Sequence, residues 1–177
     1  MAKTYEPIAT TTVTSAVASV TFSSISSAYT DLVLVANYWD TETGNDSRCY
    51  VQVGNGSVDT ATNYSTTAIL GNGTTASSVR NSTRAQFDDY SGGANNASTA
   101  TALNIYQFLN YSNTTTYKTV LYRQNNLDSA VVDYGTSAVV GLWRSTSAIN
   151  TIKIMPRTGT TNIRSGAVFT LYGIKAA

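Results

Sequence analysis

The sequence predicts an all-β protein, built as a two-sheet antiparallel β-sandwich of about ten short strands. In several segments apolar and polar residues alternate with a period of two, and no segment carries the i, i+3, i+4, i+7 apolar stripe of an amphipathic helix. Turn-forming residues recur roughly every 8 to 12 residues, as in sandwiches and barrels. A jelly-roll-like arrangement fits better than an immunoglobulin domain, because the Cys, Trp, Cys spacing is missing.

The chain is predicted to consist of an extended arm over residues 1–12 and one sandwich domain over residues 13–177. Pro7 fixes the φ angle of the arm, and the Thr residues at 10–12 favour extended backbone. A length of 177 residues suits one hydrophobic core.

Residues 13–22 are predicted to form the first strand of the domain, because apolar side chains occupy alternate positions. These are Ala16, Ala18, Val20 and Phe22. Residues 31–39 are apolar on both sides, which predicts a central strand covered on both faces.

The next strand is predicted at 48–53, where Cys49, Val51 and Val53 share one side, and an Asn-Gly turn follows at 55–56. The single cysteine is interpreted as a core residue rather than a reactive thiol. One cysteine allows no intrachain disulfide, so the fold should not depend on oxidation.

The rest of the chain alternates short strands with polar turns, and residues 91–98 are expected to form a mobile surface loop. Residues 77–87 alternate only weakly. Further strands are predicted at 63–70, 103–111, 117–123, 130–134, 138–142, 149–155 and 167–173. In the last two, Ile152 and Ile154 face away from Lys153, and Phe169 and Leu171 away from Thr170.

Composition argues against several function classes. Only 12% of residues are charged and the net charge is +1, with Lys and Arg scattered singly, so neither nucleic acid nor an anionic membrane is an expected partner. No apolar run approaches the roughly 18 residues of a membrane span, and the amino terminus has no signal-peptide core, so export by a signal peptide is not expected.

The absence of histidine argues against enzymatic activity. Histidine is the usual general base beside a Ser or Cys nucleophile and the commonest transition-metal ligand, and this chain has none. Carboxylate pairs for glycoside hydrolysis are conceivable at Asp88–Asp89 or Asp128 with Asp133, but acids in loops are usually solvated. We therefore expect no catalytic residues and no cofactor.

One loop has the spacing of a calcium site. Asp40, Glu42 and Asp46 place carboxylates around a glycine, as oxygen ligands of Ca²⁺ would be. The twelfth-position Glu of an EF-hand is missing. A polar loop between two strands is the preferred interpretation, with Ca²⁺ binding as the alternative.

The chain is rich in aromatic residues, with 12 Tyr and 2 Trp. Flat aromatic rings stack on sugars, and tyrosine is also enriched at protein interfaces, so both uses are open, with the interface preferred. The candidates are Tyr38, Trp39, Tyr64, Tyr90, Tyr111 and Trp143.

Five segments resemble short β-rich, jelly-roll-like virion structural proteins of tailed phages that infect marine bacteria. They lie at 5–12, 29–35, 110–121, 141–146 and 169–174. The resemblance implies a component of the virion exterior, made in the host cytoplasm and released by lysis. Capsid decoration (a cement protein) leads, because no coiled-coil or fibrous repeat provides a shaft. A tail, neck or fibre module that binds bacterial surface glycan is the alternative.

The resemblance also suggests partners. The major capsid protein or another virion protein is the expected one, and Tyr5, Pro7 and Ile8 would anchor the arm by strand addition to a sheet edge. The doubly apolar segment 31–39 further predicts a homo-oligomer, a trimer in our interpretation.

Overall fold

The computed structural model describes residues 4–42, 47–90, 101–125 and 135–175. Within these ranges there are twelve β-strands and no helix. The strands are β1 (Tyr5–Thr12), β2 (Val20–Phe22), β3 (Asp31–Tyr38), β4 (Cys49–Asn55), β5 (Ser57–Val58), β6 (Tyr64–Gly71), β7 (Ala76–Arg84), β8 (Ala102–Phe108), β9 (Lys118–Asn125), β10 (Thr136–Trp143), β11 (Thr151–Pro156) and β12 (Val168–Ile174).

The strands form two antiparallel sheets of unequal size. The large sheet has the order β1-β12-β3-β8-β9-β10-β6-β7, and the small sheet has the order β2-β11-β4-β5. The predicted all-β, two-sheet antiparallel sandwich is thereby confirmed. A jelly roll usually divides eight strands between two sheets, whereas here the large sheet alone contains eight.

The core lies between the sheets and draws on both of them. Leu32 and Leu34 of β3 are fully buried, as are Val51 of β4 and Ile152 of β11. Phe87, in the connection after β7, pairs its backbone with Val51 across the two sheets. Alternation therefore identified the inner faces of β4, β11 and β12 correctly.

The predicted central strand is confirmed, because β3 lies between β12 and β8 in the large sheet. The turn at 55–56 is also confirmed: Gly56 has a φ of 77° between β4 and β5. A positive φ suits glycine, which has no Cβ to clash with the backbone.

The first predicted strand is mostly wrong. Of residues 13–22 only β2 is a strand, and Ala16 and Ala18 are exposed. The chain here passes from β1 in the large sheet to β2 in the small one, held partway by a bridge from Val17 to Ile163. A segment that changes sheets cannot keep one continuous ladder. The expected strand at 130–134 and the expected loop at 91–98 lie outside the described residues.

The arm is extended, as predicted, and it pairs with a strand of its own domain. β1 pairs along β12 from Tyr5 opposite Ile174 to Thr12 opposite Val168, with a bulge between Pro7 and Ala9. The expectation that the arm has little to pack against within its own domain is corrected, because the edge of β12 provides a complete hydrogen-bonding partner.

Residues 4–42, 47–90, 101–125 and 135–175 include no helix that is long and apolar enough to span a membrane.

Candidate interaction surface

Four of the six aromatic residues proposed for glycan or interface contacts are core residues. Tyr38, Tyr64, Tyr111 and Trp143 are at most 2% exposed. The Trp143 Nε1–H donates to an Asp59 carboxylate oxygen at 2.8 Å, and the Tyr111 hydroxyl donates to the Ser26 carbonyl. A ring enclosed in its own core cannot stack on a sugar or contact a partner, so these four assignments were wrong.

The other two aromatic candidates, Trp39 and Tyr90, are half-buried. Trp39 packs over Gly166, where an added Cβ would lie 3.1 Å from its ring. The Tyr90 hydroxyl accepts a hydrogen bond from Asn81 Nδ2 at 2.7 Å and bonds the Thr66 hydroxyl. Both side chains have contacts within the chain, and their use in binding a glycan or a partner stays a prediction.

The candidate calcium loop is only partly described, because Asp46 lies outside the described residues. Asp40 is buried, accepts a hydrogen bond from the Tyr38 hydroxyl at 2.6 Å, and accepts another from the Glu42 N–H at 2.9 Å. Burial raises the pKa of Asp40, and these hydrogen bonds partly oppose the rise. Asp40 therefore has structural partners in this fold.

The acidic pair Asp88–Asp89 is likewise buried and bonded. Arg84 reaches the Asp88 carboxylate at 2.6 Å, and the Cys49 N–H donates to an Asp89 oxygen at 3.0 Å. No cluster of three or more potential metal-binding acids or thiols exists in the described part of the chain. Asp128 and Asp133 lie outside it.

Burial raises the pKa of the Cys49 thiol well above its usual value, consistent with a core cysteine.

Exposed apolar side chains are concentrated on the outer face of the large sheet, which is the side opposite the small sheet. Cross-strand pairing aligns one row of outward residues from β1 to β6: Thr10, Thr170, Val35, Ile105, Arg123, Ala138 and Ile69. A second row runs parallel to it: Pro7, Tyr172, Val33, Gln107, Leu121, Val140 and Thr67. Two largely apolar rows thus cross seven strands.

Coverage of this face differs along the sheet. Over β3, Val33 is only 8% exposed and Val35 is half-buried, because neighbouring side chains of β12 and β8 lie beside them. Ile69 on β6 is 67% exposed and Val140 on β10 is 50% exposed. The apolar surface available to a partner is therefore concentrated over β8, β9, β10 and β6.

A groove of about 510 Å³ occupies that half of the face. We call it the outer groove. Its apolar lining comes from Ile69, Ile105, Leu121, Ala138 and Val140, and its polar lining from Thr67, Gln107 and Arg123. Tyr122 and Val139 contribute from beneath and are nearly buried. This volume lies within the usual range of ligand and peptide sites.

The charged residues of the strands around the outer groove are all cationic. The sequences of β6, β7, β8, β9 and β10 contain no Asp or Glu. Arg123 lies in the first row, and Arg80 on β7 donates from Nη1 to the Thr67 hydroxyl at 3.2 Å. The groove is thus apolar with a cationic border.

Comparison of the chain with protein-family models, curated proteins and solved structures finds no match in any of the three. The fold and the outer groove therefore define the protein only as a β-sandwich with an exposed apolar groove.

Sequence reasoning did not identify the outer groove. Its residues lie on the consecutive strands β8, β9 and β10 and on β6, which is distant in sequence, and the pairing of β6 with β10 and the register between all four bring them together. One signal was available: Ile69, Leu121 and Val140 occupy the side of their strands opposite the core pattern. Large apolar residues on the polar side of an alternating strand indicate a second buried face.

Proposed function

We propose that this chain is a non-enzymatic structural protein of a tailed-phage virion, which decorates the capsid exterior by docking on the major capsid protein or another virion protein. The observation that carries the docking is the outer groove, where Ile69 and Val140 are half or more exposed. Large exposed apolar patches on a small soluble domain mark sites of association. The virion setting rests on the sequence resemblance.

The burial of the aromatic candidates supports a protein partner over a glycan. Stacking on sugar needs flat exposed rings, and the outer groove is lined by aliphatic side chains instead. Contacts between aliphatic surfaces stabilise a complex mainly by excluding water from those surfaces. Such contacts suit a permanent association within a particle.

Quantitative mass spectrometry of purified virions tests the proposed function. Hundreds of copies per particle are expected for capsid decoration, whereas a few tens or fewer would indicate a tail, neck or fibre. Absence of the chain from virions would refute the proposal.

The docking surface is tested by occupancy of particles. The double variant Ile69→Asp with Val140→Asp should fold but bind capsids at least tenfold less, because two carboxylates would remain in an apolar contact. Thr21→Asp is the matched control, since Thr21 is exposed on the small sheet. Equal occupancy of both variants would remove the outer groove from the account.

A further inference from the structure

We infer that the outer groove receives a segment of a different virion protein in which aliphatic side chains flank at least one carboxylate. The inference rests on the proposed function and specifies the chemistry of the partner at the same surface. Three observations carry it: the aliphatic lining, the absence of Asp and Glu from the strands β6, β7, β8, β9 and β10, and the position of Arg123 inside the first row.

The lining sets the apolar part of the partner. Ile69 and Ala138 are directly opposed on β6 and β10, and Val140 and Leu121 are opposed on β10 and β9. These cross-strand pairs form a continuous aliphatic strip, and Leu121 is 38% exposed. An extended or helical segment with Leu, Ile or Val side chains would cover this strip.

Arg123 sets the charged part. Its cross-strand neighbours are Ile105 on β8 and Ala138 on β10, so it stands among apolar side chains rather than at the edge of the sheet. Among the residues that the structure describes, its guanidinium has neither a hydrogen bond nor an ion pair. A segment that covered the groove would desolvate this cation, which is costly unless the segment supplies an acceptor. A carboxylate matches the guanidinium fork in two parallel hydrogen bonds.

The same charges disfavour a second copy of this chain as the occupant. A two-fold contact through the outer groove would enclose Arg80 and Arg123 from each copy, and the strand residues of β6, β7, β8, β9 and β10 include no Asp or Glu to pair with them. Like charges without counterions in a contact cost binding energy and select against that pairing.

Site-specific photocrosslinking in assembled virions tests the inference. A photoreactive phenylalanine replaces Ile69, and the same residue at Thr21 serves as the control. After irradiation, mass spectrometry maps the attachment site. The expected product joins position 69 to a different polypeptide, with Asp or Glu within a few residues of the attachment site.

Charge variants of Arg123 then test the carboxylate. Arg123→Glu should lower particle occupancy at least tenfold. Arg123→Gln, which loses the charge, and Arg123→Lys, which keeps the charge but loses the paired hydrogen bonds, should both give intermediate losses, with the smaller loss for Lys. Changing the identified partner acid to Lys should restore occupancy of the Arg123→Glu variant. Thermal melts of each variant check that the sandwich remains folded.

Each other outcome has a defined meaning. A crosslink to another copy of this chain overturns the inference in favour of self-association. A crosslinked partner segment without Asp or Glu would overturn the inferred carboxylate contact with Arg123. Full particle occupancy by the Arg123→Glu variant would overturn it as well. Virions that contain the chain but give no product at position 69 refute the inference while leaving the proposed function intact.

Discussion

At the scale of single residues, Gly141 on β10 shows how tightly the two sheets meet. A Cβ added there would lie 2.5 Å from Phe87 Cδ1 and 2.6 Å from Cε1. Phe87 is fully buried and packs edge-on against Tyr64 at 5.0 Å and against Tyr122 at 6.2 Å between ring centroids. The ring therefore has little room to retreat.

Gly141→Ala should lower the free energy of unfolding by about 1–3 kcal/mol, as overpacked core sites do. Gly71→Ala on neighbouring β6 is the control, because nothing lies within 4 Å of its added Cβ, and its effect should stay within about 0.5 kcal/mol. Equilibrium denaturation in guanidinium measures both. Equal stability of the two variants would contradict the packing described for Phe87.

Asp59 gives the molecule a predictable response to acid. Burial alone would raise the pKa of its carboxyl, but hydrogen bonds from Asn63, Trp143 and the Ala61 N–H outweigh burial and lower it. A carboxyl with a lowered folded-state pKa stabilises the fold above its unfolded pKa of about 3.9 and loses that contribution as pH falls through the folded pKa.

Asp59→Asn should therefore cost about 1 kcal/mol near pH 7 and less at the lowest pH at which the fold persists, because the carboxyl gains a proton as pH falls through its lowered folded-state pKa. Denaturation curves at the two pH values check this. A difference that does not change with pH would show that the charge of Asp59 contributes nothing to stability.

At the scale of elements, β1 forms one edge of the large sheet. β1 carries Pro7, which donates no backbone hydrogen bond, and a bulge follows it. Glu6 on β1 also pairs with Lys175 at 3.0 Å. Proline, bulges and charge all discourage further strand addition, so β1 is a protected edge in this fold.

Deletion of residues 2–12 should leave a cooperatively folded sandwich with a lower melting temperature, because β1 contributes only one ladder, to β12. We also predict that the truncated chain no longer decorates particles, since Tyr5 is 57% exposed and Pro7 lies in the second row of the outer face. Gel densitometry of purified virions measures occupancy. Undiminished occupancy would remove β1 from the docking account.

The elements also show what alternation can and cannot predict. The inner faces of β11 and β12 were predicted residue by residue, because burial on one side leaves a period of two in the sequence. The neighbours of each strand were not predicted, because pairing such as β3 with β12 leaves no local pattern. Both the groove and the place of β1 depend on that pairing. Four of the aromatic assignments failed because the sequence pattern around a tyrosine in a short strand is the same whether the ring lies in the core or at an interface.

At the scale of the whole molecule, no covalent or metal link is expected to hold the fold. Cys49 is the single cysteine and is buried, so reductant should leave the melting temperature unchanged. EDTA should also leave it unchanged, since Asp40 is bonded to Tyr38 and Glu42. Differential scanning calorimetry with and without each reagent checks both. A drop of many degrees with EDTA would revive the calcium loop.

Self-association as a trimer stays a prediction, although the argument from the doubly apolar segment 31–39 is weakened by the structure. Val33 and Val35 of β3 are largely covered within the chain itself, so β3 alone does not demand a second copy. The low charge of the chain still favours association. Light scattering should give about three chain masses, and a well-folded monomer at high micromolar concentration would count against the trimer.

The position of β12 has a consequence for biosynthesis. β12 fills the place between β1 and β3, although it is the last described strand to leave the ribosome. Until then β3, whose Leu32 and Leu34 belong to the core, has an open hydrogen-bonding edge on that side. Nascent chains arrested before residue 168 should therefore aggregate and be degraded more readily than chains that include β12, which pulse-chase labelling of the two arrested chains would measure.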